Sequence, residues 1–342
     1  MSETTAIHQP NAAFDYYRGD IYWNDFEAIN RHINTQISGD PAIGWQRHLR
    51  SVHGCFGKAF FPSCGNGWVE RDLFRLGVIG SAAGVDIGAS MLEAARKAAA
   101  DEGIAASYMI GDINAIELPV GEYDLVVNHA AMHHVAYINR VTHRIARTLK
   151  SGGLYVAFDY VGPHRNQYSW EAWSAMVELN ATLPARFRAK LGYPHMKTML
   201  HTDPTEAIHS ELQVEVLKRY FDLTQYSALG GGIAYQMLYQ NGMLYHEQNT
   251  PEGQATLARI IAADMELLKA MPESNLFSFW VASPKVSSFP QSGVISAWQA
   301  GEDVREETAK LSSGRYYPAG ALEIIYNEMS ELAYQLAIRS GS

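Results

Sequence analysis

Cysteine is nearly missing from this 342-residue chain. Cys55 and Cys64 cannot build a disulfide framework, so a reducing, cytoplasmic setting is the expected one. Positive charge is also scarce: 27 Lys and Arg face 36 Asp and Glu, for a net charge of −9. That balance excludes a general nucleic-acid binder and a binder of anionic membranes, since both rely on basic surface. No apolar run reaches the roughly 20 residues that cross a bilayer. The opening MSETTAIHQPNAAFDYY has no basic stretch followed by an apolar one, so no signal peptide is expected. Internal repeats and low-complexity segments are absent too. What remains is a globular composition, 47% apolar and 18% charged, long enough to bury a large core.

The first stretch with much to say is aromatic. FDYYRGDIYWNDF, followed by a helical pattern through EAINRHINTQI, reads as a cap over something, covering about residues 1–50. From Ala59 strands and helices alternate. KAFFP, SAAGVDIG, ASYMIGD, YDLVVNHAAM and LYVAFDYV read as five strands, with WVERDLFRLGV, ASMLEAARKAAADEG and VTHRIARTLKSGG as helices among them. Such alternation implies βαβ units and a parallel sheet covered on both faces. Residues 162–215 interrupt it, with a helix from about Glu171 to Asn180 and a Pro-marked joint. YFDLTQYSAL and NLFSFWVASP then resume the sheet, separated by a helix around GQATLARIIAADMELLKAM. The expected architecture is α/β: a doubly wound, mostly parallel, seven-stranded Rossmann-like sheet. Its parts are a cap at 1–50, a cofactor-binding core at 51–161, an acceptor-site insertion at 162–215, the rest of the sheet at 216–284 and a helical extension at 285–342. The amphipathic helix of that extension is expected to dock on the parent domain or on a second copy in a homodimer.

Four features fall where a doubly wound sheet binds ligands, at the carboxyl ends of its strands. SCGNG closes strand one, with Gly65 and Gly67 leaving backbone free to approach a nucleotide-like cofactor. Asp86 in GVDIG ends strand two and suits both hydroxyls of a ribose. Asp112 in MIGDIN ends strand three; it could accept from an adenine amino group while the Ile113 amide donates to the ring. Ile87 and Met91 would supply apolar contact. After strand four, Asn128 and His129 in NHAAMHH would line the amino-acid end of the cofactor. Either acid, taken alone, serves equally as the cap of the turn that follows it.

In this order, SCGNG, GVDIGASMLEAARK, MIGDIN, YDLVVNHAAMHHV and LKSGGLYVAFDYVGP resemble the class I S-adenosylmethionine-dependent methyltransferases over about residues 55–165. The closer likeness is to bacterial methyltransferases of polysaccharide and secondary-metabolite gene neighbourhoods, through CGNGWVER and the DYVGPHRNQY segment. The resemblance implies S-adenosylmethionine as cofactor, held at Ser63, Gly65, Asn66, Gly67, Asp86, Ile87, Met91, Asp112, Ile113, Asn114, Asn128 and His129, with Tyr17 and Trp23 folding over it. Two positions depart from the family. The acid usual two residues before the first glycine of the turn is Phe61, and that glycine is Ser63, so another group must hold the ammonium. A dinucleotide site is excluded, because G-x-G-x-x-G is not present.

Methyl transfer to a hydroxyl needs alignment and a proton acceptor. His133 and His164 lead the candidates, with Tyr160 beside them, and Arg165 and Gln167 are expected to hold a polar or anionic acceptor. No metal is expected: His129, His133 and His134 have no carboxylate or thiol paired with them in sequence. The expected function is methylation of a small molecule or glycan precursor, foremost at oxygen. Two alternatives stand beside it, a methyltransferase for a peptide or carrier-bound intermediate and a non-catalytic nucleoside- or partner-binding module.

Overall fold

The computed structural model describes residues 21–203 and 205–285. Seven strands form one sheet: β1 (Phe56–Pro62), β2 (Ile79–Asp86), β3 (Ala106–Ile110), β4 (Tyr123–His129), β5 (Leu149–Tyr160), β6 (Phe221–Gly230) and β7 (Phe277–Pro284). Their spatial order is β3-β2-β1-β4-β5-β7-β6. β1 to β5 pair in parallel, whereas β7 runs antiparallel to both β5 and β6. The sheet is therefore the doubly wound, mostly parallel α/β sheet expected from the sequence. Its strand order reverses between β1 and β4, which opens a crevice at their carboxyl ends.

Strand sequence explains strand position. β1 and β4 carry unbroken apolar runs because helices cover both faces of the central strands. Side chains alternate in direction along β1. Phe60 joins the cluster formed with Val126, Ile138, Val141 and Ile145, and Phe61 joins the opposite cluster with Leu73, Val127 and the N-terminal helix. That helix, Glu27–Ser38, buries Ile29, Ile33 and Ile37 at four-residue spacing and ends on Gly39 at φ 81°. A left-handed residue there costs glycine nothing. β6, at the sheet edge, alternates exposed and half-buried positions along much of its length.

One boundary differs from the sequence expectation. The helical pattern VTHRIARTLKSGG stops at Thr148, and LKSGG begins β5 instead. Leu149 pairs with Tyr123, the register shifts, and Leu125 next pairs with Leu154. Gly152, at φ 78°, lets the strand make this irregular step.

The segment after β5 contains the helix Trp170–Thr182, capped by the Ser169 hydroxyl, the helix Met196–Thr202 and several single turns. It is tied to the turn after β4 by Ile208 N–H donating to the His133 carbonyl at 3.0 Å, and closed on itself by Arg165 N–H donating to the Ala207 carbonyl at 2.8 Å. Tyr17 and the expected C-terminal helix lie outside the described residues.

Candidate active site

A cavity of about 1090 Å³ opens at the carboxyl ends of β1 and β4. Ligand pockets of small-molecule enzymes commonly reach up to about 1,000 Å³, and this cavity is at the upper end of that range. The turn after β1 forms one wall through Ser63, Gly65, Asn66 and Trp68, with Glu70 behind them. The N-terminal segment Tyr22–Asp25 and the rings of Tyr235 and Tyr239 form another. The far end is built from His133, His134, Tyr160, Asn166, Asp203 and Glu206.

The turn is shaped by backbone need. Ser63 adopts φ 54°, a left-handed value that glycine adopts more readily, at the place where the family carries one. Gly67, at φ 72°, has no room for a side chain: a Cβ would lie 2.7 Å from Tyr108 Oη and 2.8 Å from Glu70 Oε1. Gly65 meets only Met91 Cε at 3.7 Å, so it is open toward a ligand. Asp86 binds the turn, accepting from Gly65 N–H and from Gly88 N–H, each at 2.8 Å. Each of its oxygens retains acceptor capacity beyond these bonds. Asp86 pairs in register with Ile110, which puts Asp112 on the same rim one strand over. Asp112 itself is exposed and accepts from the backbone and side-chain amides of Asn114. Ile113 is buried in the core, and the Asn114 side-chain oxygen receives Tyr137 N–H. Ile87 flanks Asp86 outside the cavity wall, whereas Met91 is part of it.

Glu70 was not singled out from the sequence. It is fully buried, and neither carboxylate oxygen has a hydrogen bond of good geometry among the described residues. Burial raises its pKa to about 7, with the Asp86 charge adding to the effect and Tyr108 and Arg71 opposing it. Asn66 Oδ1, in the same cavity wall, is likewise buried without a hydrogen-bond partner among the described residues. These orphaned acceptors at the glycine turn fit a ligand that brings a cationic donor, and an ammonium is one. Phe61 leaves the family's usual acidic position apolar; Glu70 puts a carboxylate back on the same wall. The signal in sequence was an acid on the inward stripe Val69, Glu70, Leu73.

At the opposite end the residues of β4 and β5 interlock. Asp159 is completely buried and takes four donors: His133 Nδ1 at 2.6 Å and Tyr160 N–H at 2.7 Å on one oxygen, Asn128 Nδ2 at 2.6 Å and Met132 N–H at 2.8 Å on the other. Burial alone would disfavour its charge, but His133 and these donors outweigh it and hold the carboxyl below its usual range. His133 feels the reverse. Burial would lower its pKa, yet Asp159, Glu206 and Asp203 raise it to about 9. Asn128, expected at the cofactor, instead braces Asp159. His129 stacks on Phe158 at 5.3 Å and meets the Trp68 ring edge-on at 4.9 Å, and burial lowers its pKa to about 4, so it is a neutral wall.

The other sequence candidates divide. Tyr160 lines the cavity, but burial raises its phenol well above the ordinary value, which leaves it a donor at neutral pH. His164 is turned away, its Nδ1 on the Ile208 carbonyl at 2.7 Å. Arg165 and Gln167 are not in the cavity wall either. Arg165 donates to the Glu206 carbonyl at 3.2 Å and Gln167 to the carbonyls of Arg165 and Pro194. Together they fix the segment that carries Glu206. Trp23 is both wall and core, stacked on Phe277 at 4.8 Å. Among the other aromatics Tyr235 and Tyr239 line the cavity, while Trp173 is buried against Tyr168 and Tyr245 against Phe26.

Residues 62–157 match the family model of the methyltransferase domain. The ubiquinone/menaquinone biosynthesis C-methyltransferase of Pseudomonas aeruginosa is 25% identical over 209 residues, spanning 59% of this chain and 80% of that protein. The ubiquinone biosynthesis O-methyltransferase of Nitrosococcus oceani is 32% identical over 91 residues, 26% of this chain and 38% of that protein. Among solved structures, an S-adenosylmethionine-dependent methyltransferase from Mesorhizobium loti aligns with 69% of this chain and 95% of its own at 19% identity and a TM-score of 0.42. Phosphoethanolamine N-methyltransferase 2 of Haemonchus contortus, in complex with S-adenosyl-L-methionine, covers 78% of this chain and 61% of its own at 17% identity and a TM-score of 0.46. Residues 62–157 are thus a methyltransferase domain, and the chain that carries it is an S-adenosylmethionine-dependent methyltransferase.

Proposed function

We propose that this methyltransferase acts on a hydroxyl oxygen of a small molecule or glycan precursor. The observation that carries this reading is the Asp159–His133 pair at the cavity end away from the glycine turn. A sulfonium supplies an electrophilic methyl, so the protein's remaining tasks are to align the acceptor and remove its proton. Asp159 accepts the Nδ1 proton of His133, which directs the Nε2 lone pair of the neutral ring toward Glu206 at the cavity end. That nitrogen takes the hydroxyl proton as the oxygen attacks. A carboxylate acceptor, already deprotonated, would need no such group.

On the donor side, the glycine turn and Glu70 receive the amino-acid end of the cofactor, and Asp86 its ribose. Asp112, with Ile113 and Asn114, receives the base on the neighbouring rim. Trp23, Tyr235 and Tyr239 exclude water, which protects the sulfonium and strengthens every charge interaction inside. The segment 162–215 contributes Asn166, Asp203 and Glu206 to the acceptor end, which supports its assignment as the acceptor-site insertion.

The test is a panel of phenols, catechols, sugars and nucleotide sugars incubated with the enzyme and S-adenosylmethionine. Mass spectrometry follows S-adenosylhomocysteine and the position of the new methyl group. A methyl on oxygen is expected; products methylated only on nitrogen or carbon would overturn the oxygen reading.

A further inference from the structure

The acceptor end contains a second arrangement that proton transfer alone does not use. We propose that Nε2 of His133, Nε2 of His134 and Oε2 of Glu206 hold a divalent transition-metal cation, zinc foremost, to which the acceptor oxygen binds. This rests on the oxygen-methylation reading and replaces the free His133 ring with the ion as the group that activates the acceptor hydroxyl.

One ligand atom from each of the three residues lies within 4.8 Å of the others. Glu206 Oε2 is 3.7 Å from His133 Nε2 and 3.5 Å from His134 Nε2. Bonds of about 2.1 Å at tetrahedral angles separate ligand atoms by about 3.4 Å; both Glu206 distances are close to this, and the two imidazoles, within 4.8 Å, would close on the ion by rotating about their side-chain bonds. Sequence spacing concealed this site. The two histidines follow β4, while Glu206 arrives from the insertion more than seventy residues later.

Orientation argues more strongly than distance. Asp159 accepts at His133 Nδ1, which leaves Nε2 as the lone-pair nitrogen of the neutral ring. The Thr205 hydroxyl donates to Asp203 Oδ1 at 2.9 Å, so its oxygen is free to accept from His134 Nδ1 at 3.2 Å. The second ring is thereby set the same way. Glu206 Oε1 is held by Asn166 Nδ2 at 3.4 Å, leaving Oε2 toward the histidines. Each of the three ligands thus has an outer partner that fixes it, the usual support of a metal site. Two imidazole lone pairs and a carboxylate aimed at one point repel each other unless a metal ion or a proton lies between them. Two histidines and one carboxylate suit zinc, manganese or ferrous iron and leave positions open to the cavity.

With the ion bound, His133 is a ligand rather than the proton acceptor. The acceptor hydroxyl occupies an open position, and its proton, made acidic by the ion, passes to water. The methyl then moves from sulfur to oxygen, the carbon–sulfur electron pair remains on sulfur, and the sulfonium and oxyanion charges cancel.

The experiment uses full-length protein stripped by chelator and dialysed. Titration with Co²⁺ followed by visible absorption, then displacement by Zn²⁺, reads the site. Binding of S-adenosylhomocysteine is measured on the same samples. One Co²⁺ per chain with micromolar or tighter affinity is expected, weakened at least 100-fold in both His134→Ala and Glu206→Gln. The first residue is partly exposed and the second change is isosteric, and circular dichroism checks both folds. Wild-type protein with no stoichiometric Co²⁺ or Zn²⁺ binding overturns the proposal, as does unchanged affinity in both folded variants. If S-adenosylhomocysteine binds while metal does not, a proton occupies the cluster and the methyltransferase reading stands. If S-adenosylhomocysteine itself fails to bind, the donor-site reading falls instead.

Discussion

Asp159 Oδ1 lies 2.6 Å from Nδ1 of His133, and the carboxylate that makes this contact has no exposure to solvent. A strand end thereby delivers a fixed negative charge to the back of an imidazole whose front meets Glu206 in the cavity. Replacing Asp159 with Asn keeps the shape but offers a donor amide in place of one oxygen. Turnover is expected to fall by about two orders of magnitude or more, as when an orienting carboxylate is lost from other histidine sites. Buried donors left without an acceptor should also destabilise the fold by about 1–3 kcal/mol. Steady-state kinetics and urea denaturation check the two effects separately; unchanged turnover in a folded variant would remove Asp159 from the mechanism.

The same pair sets a pH dependence in metal-free protein. The pKa of His133 is raised in the fold to about 9, so the folded state holds its proton more tightly than the unfolded chain does. Its contribution to stability is complete below the unfolded value near 6.5 and disappears as pH rises through about 9. Proton removal from an acceptor shows the opposite trend, because only the neutral ring can take a proton. Chelated enzyme should therefore gain activity and lose stability between pH 7 and 9. His133→Gln should flatten both trends in paired rate and thermal-melt series.

Glu70 gives a third test. Its folded pKa is raised to about 7, so its neutral form is favoured and the fold loses stability as pH rises from the unfolded value through about 7. Glu70→Gln removes that loss and should stabilise the protein at pH 8 by about 1–3 kcal/mol, the scale of a buried unsatisfied group. The same change should weaken S-adenosylmethionine binding by removing a charge from the donor wall. Calorimetry showing full affinity in Glu70→Gln would leave the ammonium to another group.

At Asp86 the expected outcome is weaker cofactor binding. Asp86→Ala takes acceptors from a ribose and also releases the Gly65 and Gly88 amides that now hold the turn. A loss of roughly 1–3 kcal/mol in S-adenosylhomocysteine affinity is expected. Unaltered affinity would make Asp86 a structural brace alone.

Gly67 tests the turn itself. Ala at φ 72°, with a Cβ 2.7 Å from Tyr108 Oη, should cost about 1–3 kcal/mol of stability, readable as a lower urea midpoint. Equal stability would show that the turn yields easily.

The strands, their order of appearance and the glycine turn with Asp86 and Asp112 on successive strand ends were legible along the chain, because they depend on local patterning. Apolar runs bounded by turn residues mark buried parallel strands, and the turn chemistry lies within a few residues of each strand end. Pairing across distance was not legible. Nothing near Asn128 in sequence indicates that its amide braces Asp159. Arg165 and Gln167 read as acceptor ligands from their polarity, yet Arg165 holds the turn at Glu206 and Gln167 the carbonyls of Arg165 and Pro194. Sequence therefore determined the sheet and the rim proposed to bind the donor, whose residues follow one another. Only tertiary structure decided the acceptor end, because its charges come from β4, β5 and a distant insertion. Their interaction exists only once burial brings them together and strips away the water that would otherwise screen them.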